Sequence, residues 1–123
     1  MNEKEQVIEK TLNAIIEGIR RVKGKDIALI DLNTIQHTEC GYFIICHGTS
    51  NTQVSAIAHS VEETVEKLTE EKVWHRDGYR NAIWILLDYG DIMVHVFQED
   101  SRNFYNLEGL WSDAKMTKIN AEN

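Results

Sequence analysis

Hydrophobic residues recur at helical spacing in two segments of the chain. They fall three and four positions apart over residues 7–22, and a second stripe of the same kind covers residues 54–68. Asn2 followed by Glu5 is typical of a capping box at the start of the first helix. Residues 50–52 supply candidate N-caps for the second. The pattern predicts two amphipathic helices, each with one face directed at a core.

Shorter runs of apolar and β-branched residues predict the strands. Two of these runs, 27–32 and 42–47, lie between the helices. After the second helix come a run with a weak strand pattern, 73–76, and two runs with a strong strand pattern, 82–88 and 91–97. A short helical segment at 101–111 follows. The order α-β-β-α-β-β-β-α predicts an α/β fold, with one mixed sheet of about five strands and the two main helices packed on one face. We expect one domain over residues 1–113 and a polar C-terminal tail at 114–123.

The two strong strands predict a hairpin with two unlike faces. With Tyr89-Gly90 as a two-residue loop, Asp88 lies opposite Asp91, Leu86 opposite Met93, Trp84 opposite His95 and Ala82 opposite Phe97. Side chains alternate along a strand, so the other face is purely aliphatic and is expected to seat the helices: Ile83, Ile85, Leu87, Ile92, Val94 and Val96. The first face is aromatic, acidic and sulfur-bearing and contains a histidine. That mixture is expected of an interface or a site.

Composition and charge narrow the class of partner. The chain has 123 residues and a net charge of −7, and 123 residues suffice for one domain with its own core. Residues 26–50 and 81–100 contain acidic side chains and no Lys or Arg, and they account for the whole excess. This acidity disfavours broad contact with nucleic acid or anionic lipid and favours a basic partner on the sheet side. With short apolar runs and two cysteines, we expect a cytoplasmic protein that contacts no membrane.

Three interpretations of the mixed face compete. Asp88, Asp91 and His95 could ligate a metal or act in catalysis, although acidic residues beside a turn are common for backbone reasons alone. Trp84, His95 and Phe97 could instead lie beneath a third helix or loop, with the C-terminal segment covering part of them. The third interpretation is a protein-docking face anchored by Trp84 and Leu86, because interfaces favour Trp, Tyr and Met inside a polar rim. We predict the docking face and no metal site, with these contact residues: Trp84, Leu86, Asp88, Tyr89, Asp91, Met93 and His95.

The turn Gly48-Thr49-Ser50 offers a further candidate site. It precedes the second helix, where backbone N–H groups could cradle a phosphate. No Lys or Arg lies beside it in the sequence, and the Gly-Lys-Ser/Thr ending of a P-loop is absent. We therefore expect a capping turn and no cofactor.

Three motifs follow one another along the chain. They are Tyr42-Phe43-Ile44-Ile45 with Gly48-x-Ser50-x-x-Gln53 and Ala56-Ile57-Ala58, then Trp84 through Asp88 with Gly90-Asp91 and Val94-His95-Val96-Phe97, and finally Arg102-x-Phe104-Tyr105-x-Leu107-Glu108-x-Leu110-Trp111. In this order and spacing they resemble the motifs of the ribosomal silencing factor family, also called RsfS or Iojap-like. The resemblance covers about residues 5–113, and the three motifs together are highly specific.

The resemblance implies a function that composition does not reveal. Proteins of this family bind a basic protein of the large ribosomal subunit, the fourteenth in the standard series. They thereby block joining of the small subunit and repress translation when nutrients are scarce. For this chain it implies ribosome association with little direct RNA contact and no enzymatic step. A homodimer is a further expectation, because an apolar sheet face needs cover when the ribosome is absent.

The alternative function is also implied by the resemblance. The family fold is similar to that of nucleotidyltransferases, which place metal-binding carboxylates on the strand after a Gly-Ser turn and helix. Here Val94-His95-Val96 stands at that strand, with an imidazole in place of paired carboxylates. This departure indicates loss of catalysis. A metal-dependent nucleotidyltransferase-like enzyme that uses Asp88, Asp91 and His95 is kept as the alternative function.

Overall fold

The chain folds into one sheet with helices on both sides of it. The computed structural model describes residues 2–35, 38 and 40–120. Its helices are α1 (Glu3–Arg21), α2 (Asn51–Thr69), α3 (Glu99–Tyr105) and α4 (Leu107–Leu110). Its strands are β1 (Lys25–Asp31), β2 (Tyr42–Gly48), β3 (His75–Asp77), β4 (Trp84–Asp88), β5 (Ile92–Gln98) and β6 (Lys115–Ile119). The two long helices, α1 and α2, correspond to the two apolar stripes of the sequence.

The strands of the described residues form a mixed sheet in the order β3-β4-β5-β2-β1-β6. The central neighbours β2 and β5 are parallel, and all other neighbours are antiparallel. The predicted mixed α/β fold is therefore confirmed, with six strands in place of about five.

The sixth strand comes from the segment predicted to be a polar tail, 114–123. Lys115–Ile119 forms β6 and pairs antiparallel with β1, so that Ile30 lies opposite Met116. The tail prediction is wrong for these residues because β6 is exposed along nearly its whole length and carries no alternating apolar pattern. Backbone hydrogen bonds to the otherwise open edge of β1 hold it in place. Residues 121–123 lie outside the described part of the chain.

Both long helices begin with the predicted capping chemistry. The Asn2 side chain accepts a hydrogen bond from the Glu5 N–H (2.8 Å) and donates one to the Glu5 carboxylate (3.0 Å). This is the reciprocal arrangement of a capping box. At α2, Ser50 Oγ accepts from the Gln53 N–H at 3.1 Å. Local side chains thus define both helix starts before any tertiary contact is made.

α1 and α2 cover the aliphatic face of the sheet, as predicted. The strand residues buried there without exposure are Ile27, Ile44, Cys46, Ile85, Leu87, Val94 and Val96. Full burial of such a side chain contributes on the order of 2 kcal/mol. The two helices pack closely at Gly18, where a Cβ atom would lie 2.8 Å from the Val61 Cα. The helices thus bury one face of the sheet and do not cover the other.

The β4–β5 hairpin forms two residues away from the predicted register. The observed pairs are Trp84 with Phe97, Leu86 with His95 and Asp88 with Met93. The loop is Gly90-Asp91 and not Tyr89-Gly90, since the Tyr89 N–H donates to the Ile92 carbonyl at 2.9 Å and Gly90 takes a φ of +86°. A shift of two preserves the faces of the paired strand residues, because side chains alternate with a period of two.

β4 also begins two residues later than predicted. Ala82 has a φ of +53°, a left-handed conformation that interrupts the extended backbone. Its side chain is consequently buried in the helix-side core, whereas Ile83 is 40% exposed. The faces predicted for Ala82 and Ile83 are both wrong, because this backbone conformation overrides strand alternation.

Candidate docking face

The sheet face opposite α1 and α2 has a small core of its own. Its buried residues are Ile30, Leu32, Cys40, Phe43, Ile45 and Phe97, with Leu107, Trp111 and Ala114 of the C-terminal segment packed against them. The interpretation that the C-terminal segment covers part of this face is therefore correct for its centre. Trp84, Leu86 and Met93 remain only half-buried. We call these three residues the apolar strip.

The ring of Trp84 is held in one orientation from several sides. Its Nε1–H donates to His95 Nδ1 at 3.1 Å. Its ring stacks on Phe97, with centroids 4.8 Å apart, and meets Tyr105 at 5.0 Å. An aromatic side chain that is already ordered loses little conformational entropy when a partner binds. Trp84 is thus suited to the anchor role that the sequence predicts.

His95 supports Trp84 from beneath. Only 5% of it is exposed, so it forms little of the surface itself. Because Nδ1 accepts the Trp84 hydrogen bond, the neutral ring carries its proton on Nε2, which is buried without a partner among the described residues. Burial lowers the pKa of His95 to about 4. The ring is therefore uncharged at neutral pH and acts as a structural acceptor for the indole.

The metal alternative finds no geometric support in the described residues. Among them, no three His, Cys, Asp or Glu side chains are grouped so that they could hold a metal ion. The Nδ1 atom of His95 is already occupied by Trp84, and Asp88 accepts a hydrogen bond from the Gly90 N–H at 2.7 Å. Asp88, Asp91 and His95 therefore do not converge as a ligand set.

The acidic residues of the turn lie at the rim of the apolar strip. Asp88 and Asp91 are both half-buried. The Asp91 carbonyl accepts from the N–H groups of Gly41 and Tyr42, each at 3.0 Å, which fixes its backbone against the start of β2. Within the described residues no Lys or Arg forms an ion pair with either carboxylate. The rim thus presents uncompensated negative charge beside apolar surface.

Tyr89 does not belong to this rim, and its prediction as a contact residue is wrong. It pairs with Ile92 at the end of the hairpin and points to the helix side, where it is 7% exposed within the main core. Burial raises the pKa of its hydroxyl. The predicted loop placed Tyr89 at the tip, where its side chain would be free. The observed register makes it part of the ladder and so directs it to the opposite face.

Arg102 is the main structural residue that sequence reasoning missed. It is 6% exposed, and its guanidinium donates to the Asp26 carbonyl at 2.6 Å and to both carboxylate oxygens of Glu108, at 2.9 and 3.2 Å. It also lies 2.9 Å from His47 Nδ1. Burial, together with the adjacent Arg102 charge, lowers the pKa of His47. These contacts tie α3 and α4 to β1 and β2. The only signal in the sequence was the position of Arg102 in the third motif.

The Gly48-Thr49-Ser50 turn is a capping turn, as expected. Gln53 Oε1 accepts from the Thr49 N–H at 2.8 Å, and Ser50 Oγ accepts from the Gln53 N–H. The backbone donor of Thr49 that would meet a phosphate is therefore already engaged within the chain.

These features define an α/β protein whose sheet face opposite its two long helices carries a half-buried apolar strip beside two carboxylates. No helix in the described residues is long and apolar enough to cross a membrane. The chain belongs to the ribosomal silencing factor family: the family model "Ribosomal silencing factor during starvation" matches residues 4–123.

Individual relatives agree with this assignment. The chain is 39% identical over 97 residues to the ribosomal silencing factor RsfS of Bacillus subtilis, which covers 79% of this chain and 80% of the relative. A crystal structure of a protein from Chromobacterium violaceum superimposes with a TM-score of 0.80 at 30% identity, covering 93% of this chain and 94% of that one. A more distant mouse relative, 25% identical, covers 90% of this chain and 51% of its own length. It is named "Mitochondrial assembly of ribosomal large subunit protein 1". The names of the Bacillus subtilis and mouse relatives refer to ribosomal silencing and to assembly of the large ribosomal subunit.

Proposed function

We propose that this protein binds the large ribosomal subunit in the cytoplasm through a basic ribosomal protein, the fourteenth of that subunit, and sterically blocks joining of the small subunit. Translation would then be repressed when nutrients are limiting. The proposal follows from membership of the ribosomal silencing factor family. The mouse relative's name refers to the large subunit, which supports the choice of subunit.

The observation that carries the proposal is the apolar strip with its acidic rim. Trp84, Leu86 and Met93 are half-buried side chains on adjacent strands, and Asp88 and Asp91 lie beside them without cationic partners in the described residues. An apolar centre with aromatic and Met residues inside a charged rim is the usual composition of a protein interface. The negative rim favours a basic protein and disfavours RNA phosphates. Little direct RNA contact is therefore expected.

Blocking subunit joining in this way needs only occupancy of the joining surface. The preorganised Trp84 ring reduces the entropy lost on docking. The acidic rim would speed the encounter with a basic surface, and this effect weakens as salt screens it. Binding should therefore decrease at higher ionic strength.

Co-sedimentation with purified large ribosomal subunits at low and high salt tests the proposal. We expect association at low salt and less at high salt. Leu86→Ala removes part of the apolar strip and should weaken association about tenfold, in the range of interface anchors. Leu68→Ala is the matched control, since Leu68 is 43% exposed on α2, on the other side of the sheet. Absence of association at low salt would refute the proposal, and equal loss in both variants would refute the choice of face.

A homodimer of the free protein belongs to the same proposal. The half-exposed apolar strip needs cover when no ribosome is present, and a second copy offers the same strip. Sedimentation velocity should show a dimer that dissociates when large subunits are added. A monomer at every concentration up to the solubility limit would exclude this part of the proposal.

A further inference from the structure

Trp74 is an exposed tryptophan beside the proposed docking face, and no pattern in the sequence distinguishes it. It lies between α2 and β3, and its backbone N–H donates to the Asp88 carbonyl at 2.8 Å. Its side chain is 76% exposed. The indole lies directly over Gly90, where a Cβ atom would be 2.7 Å from ring carbon Cη2. The absence of a side chain at position 90, together with its φ of +86°, allows the hairpin turn to support this ring.

The ring forms one wall of a groove of about 330 Å³. The other residues that line the groove are Cys40, Asp88, Gly90, Asp91 and Met93. One oxygen of Asp88 accepts from the Gly90 N–H, and the groove thus combines an indole, a thioether and two carboxylates. Met93 also belongs to the apolar strip, so the groove continues the proposed docking face toward the hairpin turn.

The chemistry of this groove selects a cation carried on an apolar stem. An indole face attracts cations through its quadrupole, and a carboxylate accepts their hydrogen bonds. Neither Asp88 nor Asp91 has a Lys or Arg partner within the described residues. A guanidinium fits better than an ammonium, because it is planar, stacks on aromatic rings and pairs with a carboxylate through two parallel hydrogen bonds. A phosphate or an acidic peptide would be repelled.

We propose that this groove receives an arginine side chain of the basic protein partner, with the guanidinium stacked on Trp74 and hydrogen-bonded to Asp91. The identity of the partner rests on the proposed function, whereas the preference of the groove for a guanidinium does not depend on it. It adds Trp74 to the docking face as a specificity-determining residue. The competing explanation is that Trp74 only shields the turn.

The groove can be tested without ribosomes by titrating the full chain with N-acetyl-arginine amide. The readout is the NMR shift of the Trp74 indole N–H and the Asp91 amide. N-acetyl-citrulline amide is the matched control, because it has nearly the same shape without the charge. We expect saturable shifts with the arginine compound at millimolar concentration, little change with citrulline, and loss of the response in Asp91→Asn. Equal responses to both compounds, or none to either, would overturn the proposal.

Binding to large subunits provides the second arm. Trp74→Ala should weaken binding about tenfold, as interface tryptophans do, and Trp74→Phe should weaken it less because a ring remains. Asp91→Asn should weaken binding several-fold and reduce its salt dependence, whereas Glu63→Gln removes the same charge from the helix side and should have no effect. Folded Trp74→Ala and Asp91→Asn variants that bind subunits like wild type, with weaker binding only in Leu86→Ala, would refute the groove proposal and support the docking face. If wild type does not bind subunits, the proposed function fails and the arginine titration alone decides the groove.

Discussion

Arg102→Met should destabilise the protein strongly, because the guanidinium of Arg102 is a buried junction between the C-terminal segment and the sheet. The substitution keeps much of the side-chain volume but removes the hydrogen bonds to the Asp26 carbonyl and Glu108 and the contact with His47. Breaking a buried ion pair by removing one partner costs about 3–5 kcal/mol. The Glu108 side chain is 20% exposed and regains some hydration, so we expect the lower end, about 3 kcal/mol.

Urea unfolding measures this loss. With a slope of about 1.5 kcal/mol per molar, ordinary for a small domain, the midpoint should fall by about 2 M. Arg102→Lys should lose roughly half as much stability, because an ammonium keeps the charge but cannot reproduce the paired hydrogen bonds to Glu108. Arg21→Met is the matched control: Arg21 pairs with Glu17 on the exposed surface of α1, and such a pair contributes less than about 1 kcal/mol.

A double-mutant cycle separates the ion pair from simple packing. Once Arg102 is replaced, Glu108→Gln should cost less than in wild type, with a coupling energy of at least about 1 kcal/mol. If Arg102→Met lowers the midpoint no more than Arg21→Met, or if the two substitutions are strictly additive, the inference that this junction anchors α3 and α4 is incorrect.

Three further outcomes follow from the structure. Trp84→Ala should weaken binding to the isolated basic ribosomal protein by about 2 kcal/mol in calorimetry, and unchanged affinity of a folded variant would exclude Trp84 as the anchor. The pKa of His95 is about 4 in the folded state, compared with an ordinary value of 6.5. The unfolded chain therefore binds this proton at a higher pH than the folded chain does. The free energy of unfolding should consequently fall by up to about 3 kcal/mol as the pH drops from 6.5 to 4. His95→Gln should remove that part of the slope in urea titrations and leave the part due to His47, whose pKa is also lowered, whereas an unchanged slope would contradict the assignment. Gly18→Ala should lower the free energy of unfolding by about 2 kcal/mol in the same urea assay, because the added Cβ would meet the Val61 backbone. This loss should outweigh the better helix propensity of alanine. An unchanged free energy of unfolding would mean that the two helices can move apart without cost.

Part of the chain's excess negative charge lies beside the apolar strip. One of the two segments without basic residues, 81–100, contains β4, β5 and the turn between them. Its carboxylates at Asp88 and Asp91 therefore lie beside the apolar strip and are not dispersed over the surface. This placement links the net charge to the proposed choice of a basic protein, with salt dependence as the expected consequence.

Local chemistry made several features predictable from the sequence. The caps at Asn2 and Ser50 depend on side chains within three residues of the helix starts, so tertiary structure does not alter them. The two sheet faces were predictable because the alternation of residues along β4 and β5 survives a register shift of two. For the same reason Trp84 and Leu86 were selected correctly as members of the mixed face even though their cross-strand partners were not.

By itself, then, the sequence determined the α/β class, the two long helices, the aliphatic core face and the family. Only the tertiary structure decided which residues of the mixed face remain accessible. The exposed strand β6 forms because the edge of β1 offers free backbone groups, a contact that leaves no mark in side-chain pattern. Long-range packing also determines the positions of three side chains: Tyr89 lies in the core, Arg102 bridges to β1 and β2, and Trp74 lies over Gly90. Such contacts depend on where distant segments meet, which periodicity along one strand or helix does not encode.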